Sequence, residues 1–203
     1  MSRTGERARV IGSEPIFEGR VVSLRVEEIE LPGGRRSRLE LIHHPGAAAV
    51  VPVDGEGRVV LVRQYRHATG GHWPLEVPAG KLDPGEEPAA AAARECEEET
   101  GLRPGRLTSL GWIWTTPGFT DERIHLFLAE ALAPGRQDLQ DDEELELERL
   151  PLAEALALAL DGGIDDGKSI AALVRAARYL GVSPSASSPA GSSVGSSSGS
   201  SSG

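Results

Sequence analysis

The feature that most constrains the fold is a helical segment in the middle of the chain. Pro84 and Gly85 form a turn, Pro88 suits the first position of a helix, and five alanines follow it. Gly101 suits a C-terminal cap, because glycine readily adopts the left-handed backbone conformation that ends many helices. The pattern predicts a helix that begins at Pro88 and ends at Thr100.

Three glutamates share one face of this helix. Glu98 and Glu99 follow Glu95 by three and four residues, and no lysine stands between Lys81 and Lys168 to offset their charge. Hard divalent cations such as Mg²⁺ and Mn²⁺ prefer carboxylate oxygens and can also bind a substrate's phosphates. Three glutamates alone are more typical of a solvated acidic face, so the interpretation depends on the residues around them.

Those residues fit a longer motif, Gly-x5-Glu-x7-Arg-Glu-U-x-Glu-Glu-x-Gly-U, in which U is aliphatic. The nine specified positions are Gly80, Glu86, Arg94, Glu95, Cys96, Glu98, Glu99, Gly101 and Leu102, and they span 23 residues. In this motif the chain resembles the Nudix hydrolase family. The one departure is Cys96, where the family usually has a bulky aliphatic residue. We expect Cys96 to be a small buried side chain on the inner helix face, without catalytic thiol chemistry.

The resemblance implies a metal site that holds Mg²⁺, with Mn²⁺ as a substitute. It places the carbonyl of Ala79 and the carboxylates of Glu95 and Glu99 among the ligands, with Glu98 helping through a second metal or a bound water. Gly80 is expected to adopt a backbone conformation closed to other residues, which leaves the Ala79 carbonyl free.

The motif's arginine is expected to have a supporting role. Arg94 should pair with Glu86 or another carboxylate of the motif and fix the loop against the helix.

Outside the motif, the resemblance continues through most of residues 15–180 and is to the ADP-ribose pyrophosphatase branch. Residues 61–66, 75–80 and 117–122 carry it. Pro117 lies fifteen residues beyond Leu102, where these enzymes have a diagnostic proline. The branch implies hydrolysis of ADP-ribose to AMP and ribose 5-phosphate, with Pro117 and Gly118 near the substrate. Arg66 is a candidate phosphate ligand, because a guanidinium can bind a diphosphate in a bidentate manner.

Two other functions stay open. Hydrolases of GDP-mannose or other nucleotide sugars share the architecture, and some proteins of this fold bind nucleotides as sensors without hydrolysis. Such sensors typically lose the motif's carboxylates, which are all present here. The aromatic residues available to stack on a base are Phe17, Tyr65, Trp73 and Trp112, and the sequence does not choose among them. Trp112 and Trp114 share one face of a strand and suggest a core or interface role, and His43 and His44 suggest a structural one.

A proton acceptor for the attacking water is expected in the acidic run of residues 141–144. In the ADP-ribose branch, a glutamate from the corresponding mobile loop closes over the substrate. Glu143 is the favoured residue, because Glu144 begins an alternating pattern that should be fixed on a strand. The alternative is a solvated acidic loop with no catalytic part.

The remaining pattern predicts a mixed α/β chain. Extended segments are expected at residues 16–30, 38–43, 110–115, 124–131 and 144–150, helices at 152–160 and 169–180, and a hairpin that joins 47–53 to 59–63. With the family resemblance, this gives a Nudix α/β/α sandwich with a mixed sheet. An N-terminal β-ribbon (1–45) precedes the catalytic domain (46–182), and a disordered Ser/Gly-rich tail (183–203) follows it. The ribbon is too small to form its own core, and the resemblance implies a homodimer through it.

Composition narrows the partners. The formal net charge of -10 disfavours a nucleic-acid surface, and no apolar run approaches the length of a membrane span. The single cysteine and the polar N-terminus favour a cytoplasmic protein whose partner is a small nucleoside diphosphate sugar.

Overall fold

The computed structural model describes residues 7–139 and 144–185. The strands of the N-terminal half are β1 (Arg9–Glu18), β2 (Ser23–Glu30), β3 (Arg36–His43), β4 (Ala47–Pro52), β5 (Arg58–Gln64), β6 (Leu75–Glu76) and β7 (Ala79–Lys81). Helix α1 (Pro88–Thr100) is followed by β8 (Leu102–Arg103), β9 (Arg106–Trp114), β10 (Arg123–Glu130), β11 (Ala133–Pro134) and β12 (Leu145–Pro151). Helices α2 (Leu152–Asp161) and α3 (Gly167–Leu180) complete the described chain. Apart from residues 16–30 and the hairpin, the expected strands and helices are confirmed, with shifts at their ends.

A mixed four-stranded sheet lies at the centre in the order β7-β4-β10-β9. Strand β10 runs parallel to β4, and the other two pairs are antiparallel. Side chains alternate between the two faces of β4. Ala49 packs in the cluster that contains Leu173 of α3, whereas Val50 packs in the cluster that contains Cys96 of α1. The sheet lies between α1 on one face and α2 and α3 on the other, which confirms the α/β/α sandwich.

The expected hairpin forms only at its turn. Asp54 accepts hydrogen bonds from the backbone N–H groups of Glu56 and Arg58, both at 2.9 Å, and Val53 bridges to Val59. Beyond that bridge the two strands separate, and β5 joins a second sheet in the order β12-β5-β6. The hairpin prediction is therefore wrong. Both strands are buried along nearly their whole length, so each takes partners on both sides in its own sheet.

The N-terminal strands form a separate antiparallel sheet, β1-β2-β3. The extended segment expected at residues 16–30 is the end of one strand and all of the next, and β1 already begins at Arg9. The pairing register of β1 shifts near Gly12 and between Pro15 and Phe17. These irregularities break the two-residue alternation of apolar side chains, which is why the sequence did not reveal the first part of β1.

The helix ends follow local chemistry. Pro88 opens α1, and Gly101 closes it with a φ of +69° and an N–H bond of 2.8 Å to the carbonyl of Glu97. Asp166 caps α3 by accepting a hydrogen bond from the N–H of Ser169. Within the described residues, no helix is long and apolar enough to cross a membrane.

Candidate active site

Two cavities meet at β7. The first, of about 720 Å³, is lined by Gln64, Tyr65, Arg66, Ala79, Gly80, Lys81, Asp83, Arg94, Glu95, Glu98, Asp138 and Leu139. The second, of about 560 Å³, is lined by His44, Ala47, Ala79, Gly80, Lys81, Ile113, Trp114, Thr115, Glu122, Ile124, Asp166, Gly167 and Lys168. The short strand β7 belongs to both linings, so the backbone around Ala79 forms the partition between them.

The carbonyl of Ala79 is directed away from the neighbouring strand. Val50 donates its N–H to the carbonyl of Pro78 at 2.9 Å, so these two opposed residues form a hydrogen-bonded pair. Antiparallel ladders alternate between hydrogen-bonded and non-hydrogen-bonded pairs, and Ala49 opposite Ala79 is the next pair along. The Ala79 carbonyl therefore points outward from the free edge of β7.

Gly80 is required for space, and the expectation of a special backbone conformation was wrong. It lies in β7 and is not among the glycines with a positive φ. A Cβ built on Gly80 would instead lie 2.0 Å from Oε1 of Glu95. Because strand backbone suits any residue, the requirement comes from the glutamate that occupies the place of a side chain.

Arg94 holds the motif together. Its Nε and Nη2 donate to the two carboxylate oxygens of Glu86 at 3.0 Å each, and Nη1 donates to Glu95 at 2.6 Å and to Glu98 at 3.0 Å. The ion pair with Glu86 was expected. These bonds, that to Glu86 foremost, raise the pKa of Arg94, and Arg94 in turn lowers the pKa of Glu86. The loop before α1 is thus tied to the helix by one guanidinium.

The donors in the first cavity suit a hard divalent cation in kind. Glu95 and Glu98 and the outward carbonyl of Ala79 offer oxygen atoms, and the missing side chain at Gly80 leaves room beside them. Glu99 is 2% exposed, and its charge contributes to raising the pKa of Arg66. Among the described residues, no three His, Cys, Asp or Glu side chains are already gathered closely enough to hold a metal. Arg94 binds two of these carboxylates instead.

A buried ion cluster adjoins the first cavity. Glu76 is 3% exposed, and Arg66 donates to its two carboxylate oxygens at 2.9 and 2.7 Å. Lys168 donates to the same carboxylate from the start of α3. Burial would raise the pKa of Glu76, but the hydrogen bonds from Arg66 and the charge of Lys168 outweigh it and lower the pKa.

Sequence reasoning missed both Glu76 and Lys168. Two signals were available: Glu76 stands between the apolar residues Leu75 and Val77, and Lys168 is one of two lysines in the chain. Neither signal indicates that these residues meet, since 92 positions separate them.

The loop of residues 117–122 contacts the two cavities through Glu122 alone. Glu122 lines the second cavity and accepts a hydrogen bond from the Thr115 hydroxyl at 2.8 Å. Pro117 lines a different cavity, of about 300 Å³, between this loop and the N-terminal sheet. Around Gly118 an added Cβ would meet no atom within 4 Å. The structure does not bring Pro117 and Gly118 to the glutamates.

Both histidines fasten this loop to the end of β3. Nδ1 of His43 lies 2.5 Å from a carboxylate oxygen of Asp121, and the N–H of His44 donates to the other oxygen at 2.9 Å. The N–H of Ile42 donates to the carbonyl of Phe119 at 2.8 Å. These contacts agree with the structural role expected for the two histidines.

The aromatic residues fall into two groups. Tyr65 lines the first cavity and lies 5.7 Å from Trp73 between ring centroids. Trp112 and Trp114 share one face of β9, as expected, and Arg123 lies 4.4 and 4.6 Å from their ring centroids. Both tryptophans are more than 40% exposed, so they do not belong to the core. Phe17 is exposed on the N-terminal sheet.

Glu143, the favoured proton acceptor, lies outside the described residues, which omit 140–143. The chain that leads to it is next to the site. Asp138 and Leu139 line the first cavity, and the N–H of Asp138 donates to the carbonyl of Glu98 at 2.9 Å.

Comparison with known proteins places the chain among proteins with this motif. Residues 43–173 match the NUDIX domain. An ADP-ribose pyrophosphatase of Bacillus subtilis (strain 168) is 42% identical over 167 residues, which cover 81% of this chain and 90% of that protein. A methanol dehydrogenase activator of Bacillus methanolicus has the same identity and coverage. The crystal structure of an ADP compounds hydrolase has a TM-score of 0.78 at 24% identity, over 89% of this chain and 97% of that chain, a likeness in fold.

Proposed function

The chain belongs to the NUDIX family, and we propose that it is a divalent-metal-dependent hydrolase that cleaves the diphosphate of ADP-ribose into AMP and ribose 5-phosphate. The observation that carries this proposal is the first cavity. Glu95 and Glu98, the Ala79 carbonyl and Arg66 all border it, so groups suited to a cation and to a phosphate share one space. The relative named ADP-ribose pyrophosphatase supports the substrate.

We assign the metal, Mg²⁺ with Mn²⁺ as a substitute, to Glu95, Glu98, Glu99 and the carbonyl of Ala79. When bound, the cation supplies Lewis acidity and offsets the negative charge of the diphosphate. Arg94 and Glu86 keep the loop and the helix in register, because their ion pair spans the two segments. Gly80 leaves the space that Glu95 occupies.

The substrate is held by Arg66 in this proposal. Its guanidinium borders the first cavity and can bind phosphate oxygens. The loop with Pro117 and Gly118 contributes from the second cavity, where Glu122 is its contact. Water attacks one phosphorus, the bridging P–O bond breaks, and Glu143 takes the proton of the water.

The first test is a comparison of substrates. With Mg²⁺, the protein should convert ADP-ribose to AMP and ribose 5-phosphate with a higher kcat/KM than it shows for GDP-mannose, NADH or diadenosine polyphosphates. A higher kcat/KM for GDP-mannose would make it a GDP-mannose hydrolase. Binding of ADP-ribose without cleavage of any of the four would indicate a nucleotide sensor.

The second test concerns the metal. Glu99→Gln keeps the size of the side chain and removes its charge, so we expect weaker Mg²⁺ binding and a kcat lower by roughly 10²-fold or more. Glu97→Gln is the matched control on the same helix, because Glu97 pairs with Arg103 at the surface. Calorimetric titration with Mg²⁺ and initial rates give the two readouts. Wild-type activity of Glu99→Gln at ordinary Mg²⁺ would refute the assignment.

A further inference from the structure

The ion cluster of Arg66, Glu76 and Lys168 forms the wall where three cavities adjoin. Arg66 lines the first cavity and a third one of about 480 Å³, Lys168 lines the second and the third, and Glu76 lines the third. A change in any of the three side chains therefore alters the boundary of the proposed substrate site.

Glu76 determines how the guanidinium of Arg66 is presented. Nε and Nη2 of Arg66 both donate to this carboxylate, in the bidentate geometry that fixes the plane of a guanidinium. Within residues 7–139 and 144–185, Nη1 has no hydrogen-bond partner. The arrangement leaves Nη1 for a ligand in the first cavity.

Lys168 fixes Glu76 from the opposite side. Its Nζ donates to Oε2 of Glu76 and, at 2.9 Å, to Asp166, the residue that caps α3. The next residue of the helix, Ser169, accepts a hydrogen bond from the N–H of Val77 at 2.8 Å. The first turn of α3 is therefore bound to the chain beside Glu76 through both a side chain and the backbone.

The charges in this cluster are balanced. Glu76 and Asp166 carry two negative charges, and Arg66 and Lys168 carry two positive ones. Removal of Lys168 would leave a buried carboxylate with one cation and a net negative charge beside the cavity. Both effects oppose a bound diphosphate, since a buried ion that loses its partner is strongly unfavourable and like charges repel.

We propose that Lys168 is a positioning residue that acts through Glu76 to hold Arg66 in the orientation that binds the substrate's diphosphate. The inference rests on the proposed role of Arg66 as a phosphate ligand. Lys168 itself need not touch the substrate, because its ammonium group is occupied by two carboxylates and is 13% exposed.

The test uses Lys168→Met, Lys168→Arg, Glu76→Gln and the double variant Glu76→Gln/Lys168→Met. The matched control is Arg106→Met, which removes a cation from a surface ion pair with Glu130. The probe is α,β-methylene-ADP, a diphosphate that cannot be cleaved, and its Kd is measured by calorimetry with Mg²⁺ on folded protein. Values of kcat and KM for ADP-ribose accompany it.

We expect Lys168→Met to raise Kd and KM by about tenfold with kcat changed by less than about twofold, the signature of lost binding in ground and transition state alike. Lys168→Arg should restore most of the affinity, because it keeps the charge. Glu76→Gln should resemble Lys168→Met. The double variant should be no weaker than Glu76→Gln alone, since Lys168 acts only through the carboxylate.

Two results would overturn the proposal. One is a wild-type Kd for Lys168→Met. The other is a double variant that is weaker than Glu76→Gln by the full factor of Lys168→Met, which would mean that Lys168 contacts the ligand directly. If Lys168→Met does not fold, Lys168→Arg and the comparison of Glu76→Gln with the double variant decide. A wild-type protein that binds the probe but cleaves no ADP-ribose would refute the proposed function while leaving these Kd values to judge Lys168.

Discussion

At the scale of single residues, the site depends on where atoms are missing as much as on where they stand. The carboxylate of Glu95 occupies the space beside Gly80 that a side chain would fill. Arg94 reaches the same carboxylate, so one glutamate is fixed from two sides. A small change at Gly80 should therefore act on the chemistry before it acts on the fold.

We predict that Gly80→Ala lowers kcat/KM by at least about tenfold while the melting temperature falls by only a few degrees. The new Cβ displaces a flexible carboxylate and does not meet rigid backbone, and a misplaced catalytic group costs rate more than stability. Steady-state kinetics and thermal melting give the two values. Gly55→Ala is the control, because an added Cβ there meets nothing within 4 Å and φ is not positive. Equal activities of Gly80→Ala and Gly55→Ala would refute the spatial explanation.

Glu143 allows a second prediction at this scale. If it accepts the proton of the water, Glu143→Gln should lower kcat by roughly 10²-fold or more and leave KM and Mg²⁺ affinity nearly unchanged. Rates at saturating substrate, with a calorimetric Mg²⁺ titration, distinguish the two effects. Small and equal losses on single substitution of Asp141, Asp142, Glu143 and Glu144 would show that the acidic run supplies only diffuse charge.

At the scale of elements, short strands and helix starts place the site residues. Strand β7 is three residues long and supplies both the Ala79 carbonyl and Gly80. The N-terminus of α3 holds the strand before it through Lys168 and Ser169. The link between α3 and β6 is ionic, so its strength depends on pH.

The depressed pKa of Glu76 has a defined consequence for stability. A carboxyl whose folded pKa lies below its ordinary value of 4.5 adds stability above pH 4.5 and loses it as pH falls through the folded pKa. Glu76→Gln should therefore be less stable than wild type at pH 7, by about 2 kcal/mol, and the difference should shrink below pH 4.5.

Thermal and urea unfolding of both proteins across this pH range would measure the effect. Glu97→Gln is the control, because the Glu97 ion pair is at the surface and should change stability little at either pH. A constant difference between Glu76→Gln and wild type from pH 7 to acid would contradict the assignment, since it would mean that the charge of Glu76 plays no part.

At the scale of the whole molecule, the N-terminal sheet is the part with unsatisfied apolar surface. Val10, Ile16 and Phe17 are each more than half exposed, and Ile29 is the one buried apolar side chain in its described strands. Three strands with one open face are too few for independent stability. We propose that this sheet contacts a second copy of the chain, as the sequence led us to expect.

Light scattering should give a mass near twice the 21.4 kDa of one chain. Phe17→Asp places a charge on the open face and should shift the mass toward that of the monomer, because an unpaired charge in an apolar interface is unfavourable. Leu160→Asp is the control, since Leu160 is equally exposed but lies at the end of α2. A monomeric wild type in dilute solution, or a Phe17→Asp variant that remains dimeric, would refute this interface.

The sequence by itself determined what depends on nearby residues. The spacing from Gly80 to Leu102 identified the family, and Pro88 and Gly101 gave the ends of α1, because turns, caps and shared helix faces arise within a few positions. Alternating or continuous apolar residues likewise located the central strands, since side-chain direction repeats every two residues.

Only the tertiary structure decided which distant segments meet. The strands on either side of Asp54 were expected to pair and instead enter different sheets, because each has buried partners elsewhere in the chain. The meeting of Glu76 with Lys168, and the position of Glu95 over Gly80, follow from the packing of α3 and α1 against the sheets. Local propensity is insensitive to such contacts, since they depend on which faces are buried together and not on the order of residues along the chain.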